Sequence, residues 1–123
     1  MRTVFLVLAT VAVSAMSSAA LAQGDAEAGA KVFNKCKACH TVDAGGKNKV
    51  GPNLHNIVGQ PAGAVEGYRY SKKMAESGLI WDEATLSAYL ENPRKFLRGT
   101  KMSFAGLRKP ADRDNVIAFI KAQ

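Results

Sequence analysis

Cys36-Lys37-Ala38-Cys39-His40 places the chain's only two cysteines three positions apart, with one of its two histidines directly behind the second. That spacing and order read as covalent haem attachment. Each thiol can form a thioether with one vinyl group of a porphyrin, and the adjoining imidazole then lies within reach of the iron. Residues three apart share a helical face, so a single turn presents both sulfurs to one edge of the macrocycle. A chain tethered in this way has to fold around a large, flat, apolar group. Two other readings of the cysteines fit less well. A thiol redox pair needs only Cys-x-x-Cys and leaves the histidine unexplained, while a zinc site needs more Cys or His ligands than this chain can cluster.

The start of the chain indicates the compartment. Arg2 precedes an apolar stretch from Val4 to about Ala15, and Ala20-Leu21-Ala22 has the small-x-small pattern of a signal-peptidase site. Residues 1–22 are therefore predicted to be a cleaved secretory signal peptide, leaving 23–123 as the mature domain in the periplasm. An uncleaved anchor would need roughly 20 apolar residues, and small and hydroxylated residues take over from Ser14, so no membrane span is expected after cleavage. An oxidising compartment would ordinarily join a lone cysteine pair as a disulfide. His40 argues that haem claims both thiols instead.

No repeat, low-complexity tract or second hydrophobic segment divides 23–123, so one folded unit is expected. Its pattern is helical. Asp25-Ala26-Glu27 opens a first helix that carries Val32 and Phe33 inward and delivers the cysteines. From Thr41 to Pro61, glycines, prolines and several asparagines describe an irregular loop wrapping something. Ser71 to Ser77 is a short helix stopped by Gly78. Asp82 caps a longer one running through Leu86, Tyr89 and Leu90 to a stop at Asn92-Pro93. The last helix begins near Pro110 and offers Val116, Ile117, Phe119 and Ile120 for burial. No stretch alternates as a strand would.

One histidine leaves the sixth position of a haem iron unfilled, and the candidates are Met74, Met102 and His55; Met1 and Met16 leave with the signal. Met102 is preferred from its setting, the glycine-bounded segment Gly99-Thr100-Lys101-Met102-Ser103-Phe104-Ala105-Gly106, which can lay extended backbone against a porphyrin. Met74 falls in an amphipathic helix, where a methionine is more often core filling. His55 reads as a partly exposed loop side chain, and bis-histidine ligation is the remaining alternative.

Taken in order, the Cys-x-x-Cys-His motif, Gly51-Pro52-Asn53-Leu54, Gly67-Tyr68-Arg69-Tyr70-Ser71, Trp81, Tyr89-Leu90-Glu91-Asn92-Pro93, Gly99-Thr100-Lys101-Met102 with Phe104-Ala105-Gly106, and the closing helix resemble a class I c-type cytochrome. The chain is similar to mitochondrial cytochrome c and to small periplasmic cytochromes of the c2 type. The resemblance implies an all-α, single-domain cytochrome c fold, with N- and C-terminal helices packed together and shorter helices and long loops wrapping one covalent haem c. It implies His40 and Met102 as axial iron ligands. It further implies that the Pro52 carbonyl holds the His40 ring, that Leu54 packs on the porphyrin, that Tyr70 and Trp81 donate to a haem propionate, and that Tyr89 and Thr100 support the Met102 side. Two positions depart from mitochondrial relatives. Gln60 stands where an arginine is usual near a propionate, and Met74 where asparagine is frequent beside a water-containing network.

The function implied is a soluble one-electron carrier, not an enzyme, moving electrons from a cytochrome bc-type complex or a dehydrogenase to a terminal oxidase or photosynthetic reaction centre. A haem enzyme or ligand sensor would need an open sixth site, and a haem-free thiol oxidoreductase is the third reading. The charge suits acidic docking surfaces on such membrane complexes rather than nucleic acid, which an exported haem protein would not meet. The full chain has 17 Lys and Arg against 10 Asp and Glu, a net +7, and loss of Arg2 leaves 16 against 10. Lys35, Lys37, Lys47, Lys49, Lys95, Lys101, Arg108 and Lys109 flank the haem motif, the loop after it and the Met102 segment. A monomer is the default expectation.

Overall fold

Asp25 starts the first helix. Its Oδ1 accepts from the backbone N–H groups of Glu27 (2.9 Å) and Ala28 (3.3 Å). Helix α1 (Ala26–Phe33) thus opens with two orphan donors satisfied in this computed structural model, which describes residues 24–123. The proposed signal peptide, 1–22, lies outside the described residues. The Asp25 N–H donates to Asn115 Oδ1 at 2.8 Å, tying the head of α1 to the C-terminal helix. We expect Asp25→Ala to cost about 1 kcal/mol, the usual worth of such a cap. The check is a lower urea midpoint at unchanged m-value; an unmoved midpoint would remove the cap from the account.

Past Phe33 the backbone leaves regular helix. Cys36 N–H bonds to Phe33 O at 2.8 Å and Cys39 N–H to Cys36 O at 3.1 Å, both across three residues, while His40 N–H reaches Cys36 O across four at 2.9 Å. The cysteine motif therefore sits on chained turns just beyond the helix that delivers it. Cys36 and His40 still share one hydrogen-bonded turn, which is what attachment needs. The segment from Thr41 to Pro61 is irregular, as expected, and is pinned by side chains: Asn53 Nδ2 donates to Thr41 Oγ1 (2.7 Å) and Asp43 O (3.0 Å), and Thr41 Oγ1 donates to Lys47 O (2.8 Å).

Three short helices follow. Ser71 Oγ accepts from Met74 N–H at 3.1 Å to cap α2 (Lys72–Ala75), and Asp82 Oδ1 accepts from Thr85 N–H at 2.7 Å to cap α3 (Glu83–Glu91). Asn92-Pro93 ends α3 but also begins α4 (Pro93–Phe96), with Asn92 Oδ1 accepting from Lys95 N–H at 3.2 Å. The sequence reading took this pair only as a stop. It missed that an asparagine can cap and a proline can occupy the first position of a new helix.

Helix α5 (Pro110–Lys121) closes the fold and packs more extensively on α1 than any other helix pair packs. The crossing is close because Gly29 has no side chain: a Cβ there would overlap the Asn115 carbonyl and lie 2.8 Å from Phe119 Cβ. Phe33 meets Phe119 beside it, ring centroids 5.2 Å apart. Val116, Ile117 and Ile120 are buried, with Phe119 partly so. Among the described residues no helix is long and apolar enough to cross a membrane, and the extended pairing is a single antiparallel bridge between Pro61 and Ile80. The fold is all-α, with its N- and C-terminal helices together, as the resemblance implied.

Candidate functional site

Helices α5 and α3 form the floor of a cleft: Val116 and Ile120 of α5 and Leu86 of α3 line it. The cleft has a volume of about 250 Å³ and a mostly apolar lining, close to the lower end of the roughly 300–1,000 Å³ of ordinary small-molecule sites. All ten residues singled out from the sequence border this space: Cys36, Cys39, His40, Pro52, Leu54, Tyr70, Trp81, Tyr89, Thr100 and Met102.

The imidazole of His40 is fixed on two sides. Its Nδ1–H donates to Pro52 O at 2.7 Å, which leaves Nε2 unprotonated and free to bind a metal. Gly51 lies against the ring so closely that a Cβ would come within 2.7 Å of both Nδ1 and Nε2. Burial pushes the His40 pKa below its ordinary value, outweighing the opposing effect of the bond to Pro52, with Lys49 adding to the depression. The neutral ring, the form that ligates, is favoured. Cys36 and Cys39 are free thiols, half-buried. Burial pushes the Cys36 pKa up, with the neighbouring Cys39 acting the same way and Lys35 opposing.

The other wall carries Met102. Thr100 N–H bonds to Leu97 O at 3.0 Å and Leu107 N–H to Leu90 O at 2.7 Å, so the intervening extended segment is held at both ends. Arg113 reinforces the far end, donating from Nη1 to Leu107 O (2.8 Å) and Arg108 O (3.0 Å) and from Nε to Ser87 Oγ (3.0 Å). Tyr89 Oη and Thr100 Oγ1 share a hydrogen bond of 2.6 Å beside Met102, and Tyr89 packs on Trp81 with ring centroids 5.1 Å apart. Burial raises the pKa of both Tyr89 and Tyr70, so each phenol keeps its proton. Tyr70 Oη accepts from Val65 N–H at 3.0 Å, which leaves its own O–H free to donate. The lining is thus apolar with a few convergent polar groups, and its donors, two thiols, one oriented imidazole and the thioethers of Met102 and Met74, include the set a covalent haem requires. The residues fit the group.

Of the other sixth-ligand candidates, Met74 lines the cleft from α2 and is 9% exposed. His55 does not line it, and its buried Nδ1 has no partner. Gln60 is exposed and acts through its backbone, whose carbonyl accepts from Trp81 N–H at 2.8 Å. The sequence reading missed the seat that Gly51 gives His40, and the contributions of Tyr68, Phe104 and Leu107 to the wall. The i, i+4 pair Val116 and Ile120 was marked only for burial, though that spacing also predicts one shared face.

Of the eight flanking cations, Lys95 and Arg108 line a second pocket, away from the cleft. All eight are exposed. Among the described residues the one ion pair is Lys121 with Glu83 at 3.0 Å, so no carboxylate neutralises them. Lys35 and Lys101 stand at the cleft itself, and Lys49 Nζ donates to Lys37 O at 2.8 Å.

Residues 26–123 match the family model described as Cytochrome c. A cytochrome c2 from Rhodomicrobium vannielii is 51% identical over 107 residues, covering 87% of this chain and 86% of that protein. A cytochrome c from Cochliobolus lunatus is 47% identical over 102 residues, covering 82% and 94%. Among solved structures, cytochrome cH from Methylobacterium extorquens is similar, with 46% identity and a TM-score of 0.77 over 81% of this chain and all of that one.

Proposed function

We propose a function from one premise: this chain belongs to the cytochrome c family. It is a small electron carrier holding one haem c through thioethers from Cys36 and Cys39. We assign His40 Nε2 and the Met102 sulfur as the two axial ligands. The observation that carries this reading is that His40, both cysteines and Met102 face one cleft although 62 positions separate the imidazole from the thioether.

Bound there, the haem supplies an iron that passes between ferric and ferrous states. The protein's part is to change nothing else. His40 is held by Pro52 and Gly51, and Met102 by a segment anchored at both ends, so neither ligand needs to move when the charge changes. The apolar floor excludes water, and a thioether is a soft ligand that stabilises the ferrous state, so both raise the potential. Tyr70 and Trp81 are the donors proposed for a propionate. With His40 and Met102 both holding the iron, no position on it would be left for a substrate.

The site of action we propose is the periplasm, after loss of 1–22, with the exposed cations around the cleft guiding brief encounters with acidic faces of membrane redox complexes. The candidates are a cytochrome bc complex or a dehydrogenase as donor and a terminal oxidase or reaction centre as acceptor. Exposed charges raise encounter rates more than they tighten complexes. The test joins a spectroscopic redox titration of the holoprotein to transfer rates at rising ionic strength. We expect a low-spin haem c spectrum with a far-red iron–sulfur band, and rates that fall with salt. A missing band would discard the His40/Met102 pair, and rates indifferent to salt would discard electrostatic steering.

A further inference from the structure

Tyr68, in the cleft wall, touches two segments besides its own. Its Oη donates to Val50 O at 2.7 Å, in the loop that carries Gly51 and Pro52 beside His40. Its ring edge meets Tyr70, centroids 4.8 Å apart at 80°, and Tyr70 is fixed to the same stretch of chain through Val65 N–H. Above its face lies the ammonium of Lys101, 4.8 Å from the ring centroid. Lys101 is the residue immediately before Met102, and its Nζ also donates to Arg69 O.

An exposed lysine ordinarily keeps its head in water and its stem free. Here the ammonium is committed to a carbonyl and an aromatic face on one neighbouring loop, so the backbone one residue before the thioether cannot drift without breaking both contacts. The same ring is bonded through its hydroxyl to the loop under the imidazole. We propose that Tyr68 is a positioning residue for Met102: acting through Lys101, it holds the 99–106 segment closed and couples it to the loop that seats His40. This rests on the ligand pair assigned above.

The probe is exogenous imidazole added to the ferric holoprotein. It is a neutral competitor for the sixth position, and its apparent affinity reports how often the segment opens. Tyr68→Phe keeps the ring under Lys101 and loses the bond to Val50, and should tighten imidazole binding by about three- to ten-fold, the worth of one hydrogen bond. Lys101→Gln should tighten it by about two- to five-fold, the worth of an exposed cation–π contact, or somewhat more with the Arg69 bond lost. Tyr68→Leu should exceed either. Tyr68→Leu combined with Lys101→Gln should fall short of the product of the two, because both remove one shared contact. Ile117→Val, a core change outside the cleft lining, should lower the urea midpoint and leave imidazole affinity at the parent value.

The proposal is overturned if Tyr68→Leu stays within two-fold of the parent, if the two effects multiply fully, or if Ile117→Val tightens imidazole as Tyr68→Leu does. Failure of the underlying ligand assignment looks different: Met102→Ala would then bind imidazole no better than the parent.

Discussion

Met102→Ala is expected to give a protein that keeps its covalent haem, loses the far-red iron–sulfur band, binds carbon monoxide in the ferrous form and has a lower reduction potential. Attachment survives because Cys36 and Cys39 lie on turns whose backbone hydrogen bonds run back to α1 and not to the Met102 segment. The segment itself stays in place, since Thr100 is held by Leu97 and Tyr89 and Leu107 by Leu90 and Arg113. What is lost is the soft sulfur that favours the ferrous state. The fall should be on the order of 0.1 V, a fraction of the roughly 0.8 V range over which axial ligands set haem potentials. Met74 is the other thioether lining the cleft. Its N–H donates to Ser71 Oγ (3.1 Å) and its carbonyl accepts from Ser77 Oγ (2.8 Å), so the single turn of α2 holds it in its own place. A Met102→Ala protein that retains an iron–sulfur band, and loses it on adding Met74→Ala, would assign the vacancy to Met74. If band and potential both stay native in Met102→Ala alone, Met102 is not the ligand.

That experiment separates what local sequence carries from what only the fold carries. Cys36 to His40 announces attachment because thioether chemistry dictates spacing, and Asp25, Ser71 and Asp82 announce helix starts because a cap is a local bond. Met102 announces nothing by itself. Its setting between glycines suggested it, and the resemblance to c-type cytochromes singled it out. Only the folded chain shows why Thr100 and Leu107 are the two points that fix it.

Other features were illegible for the same reason. The seat under His40 depends on Gly51 N–H bonding to Cys39 O, a contact across twelve positions, and a glycine in a turn-rich loop looks like every other glycine there. Tyr68 read as one aromatic in a family pattern, since its partners Val50 and Lys101 lie 18 and 33 positions away. The second role of Asn92-Pro93, starting α4, was legible in principle and was overlooked because the pair also satisfies a stop signal.

Gly51→Ala is the sharpest test of the site's geometry, because the methyl group it adds meets the imidazole of His40 before anything else. Gly51 is buried and is not among the glycines with positive φ, so alanine suits its backbone. The whole penalty therefore falls on the imidazole, whose ring a new Cβ would overlap. Neither side can yield. The backbone is held by Gly51 N–H to Cys39 O (2.8 Å) and Lys49 N–H to Gly51 O (2.9 Å), and the ring by Nδ1–H to Pro52 O (2.7 Å). Overpacking of this kind costs about 1–3 kcal/mol or more, and relief by tilting the ring breaks the Pro52 bond and misdirects Nε2. The expected result is a low yield of holoprotein, a lowered urea midpoint and a ferric spectrum shifted away from low spin. Gly45→Ala is the matched control. At φ +72° alanine is strained, but nothing lies within 4 Å of its Cβ, so it should lower the midpoint by about 1 kcal/mol through the backbone alone and leave the spectrum native. A Gly51→Ala protein with the parent's spectrum and midpoint would mean that His40 is not seated against residue 51, and the proximal half of the site would have to be rebuilt.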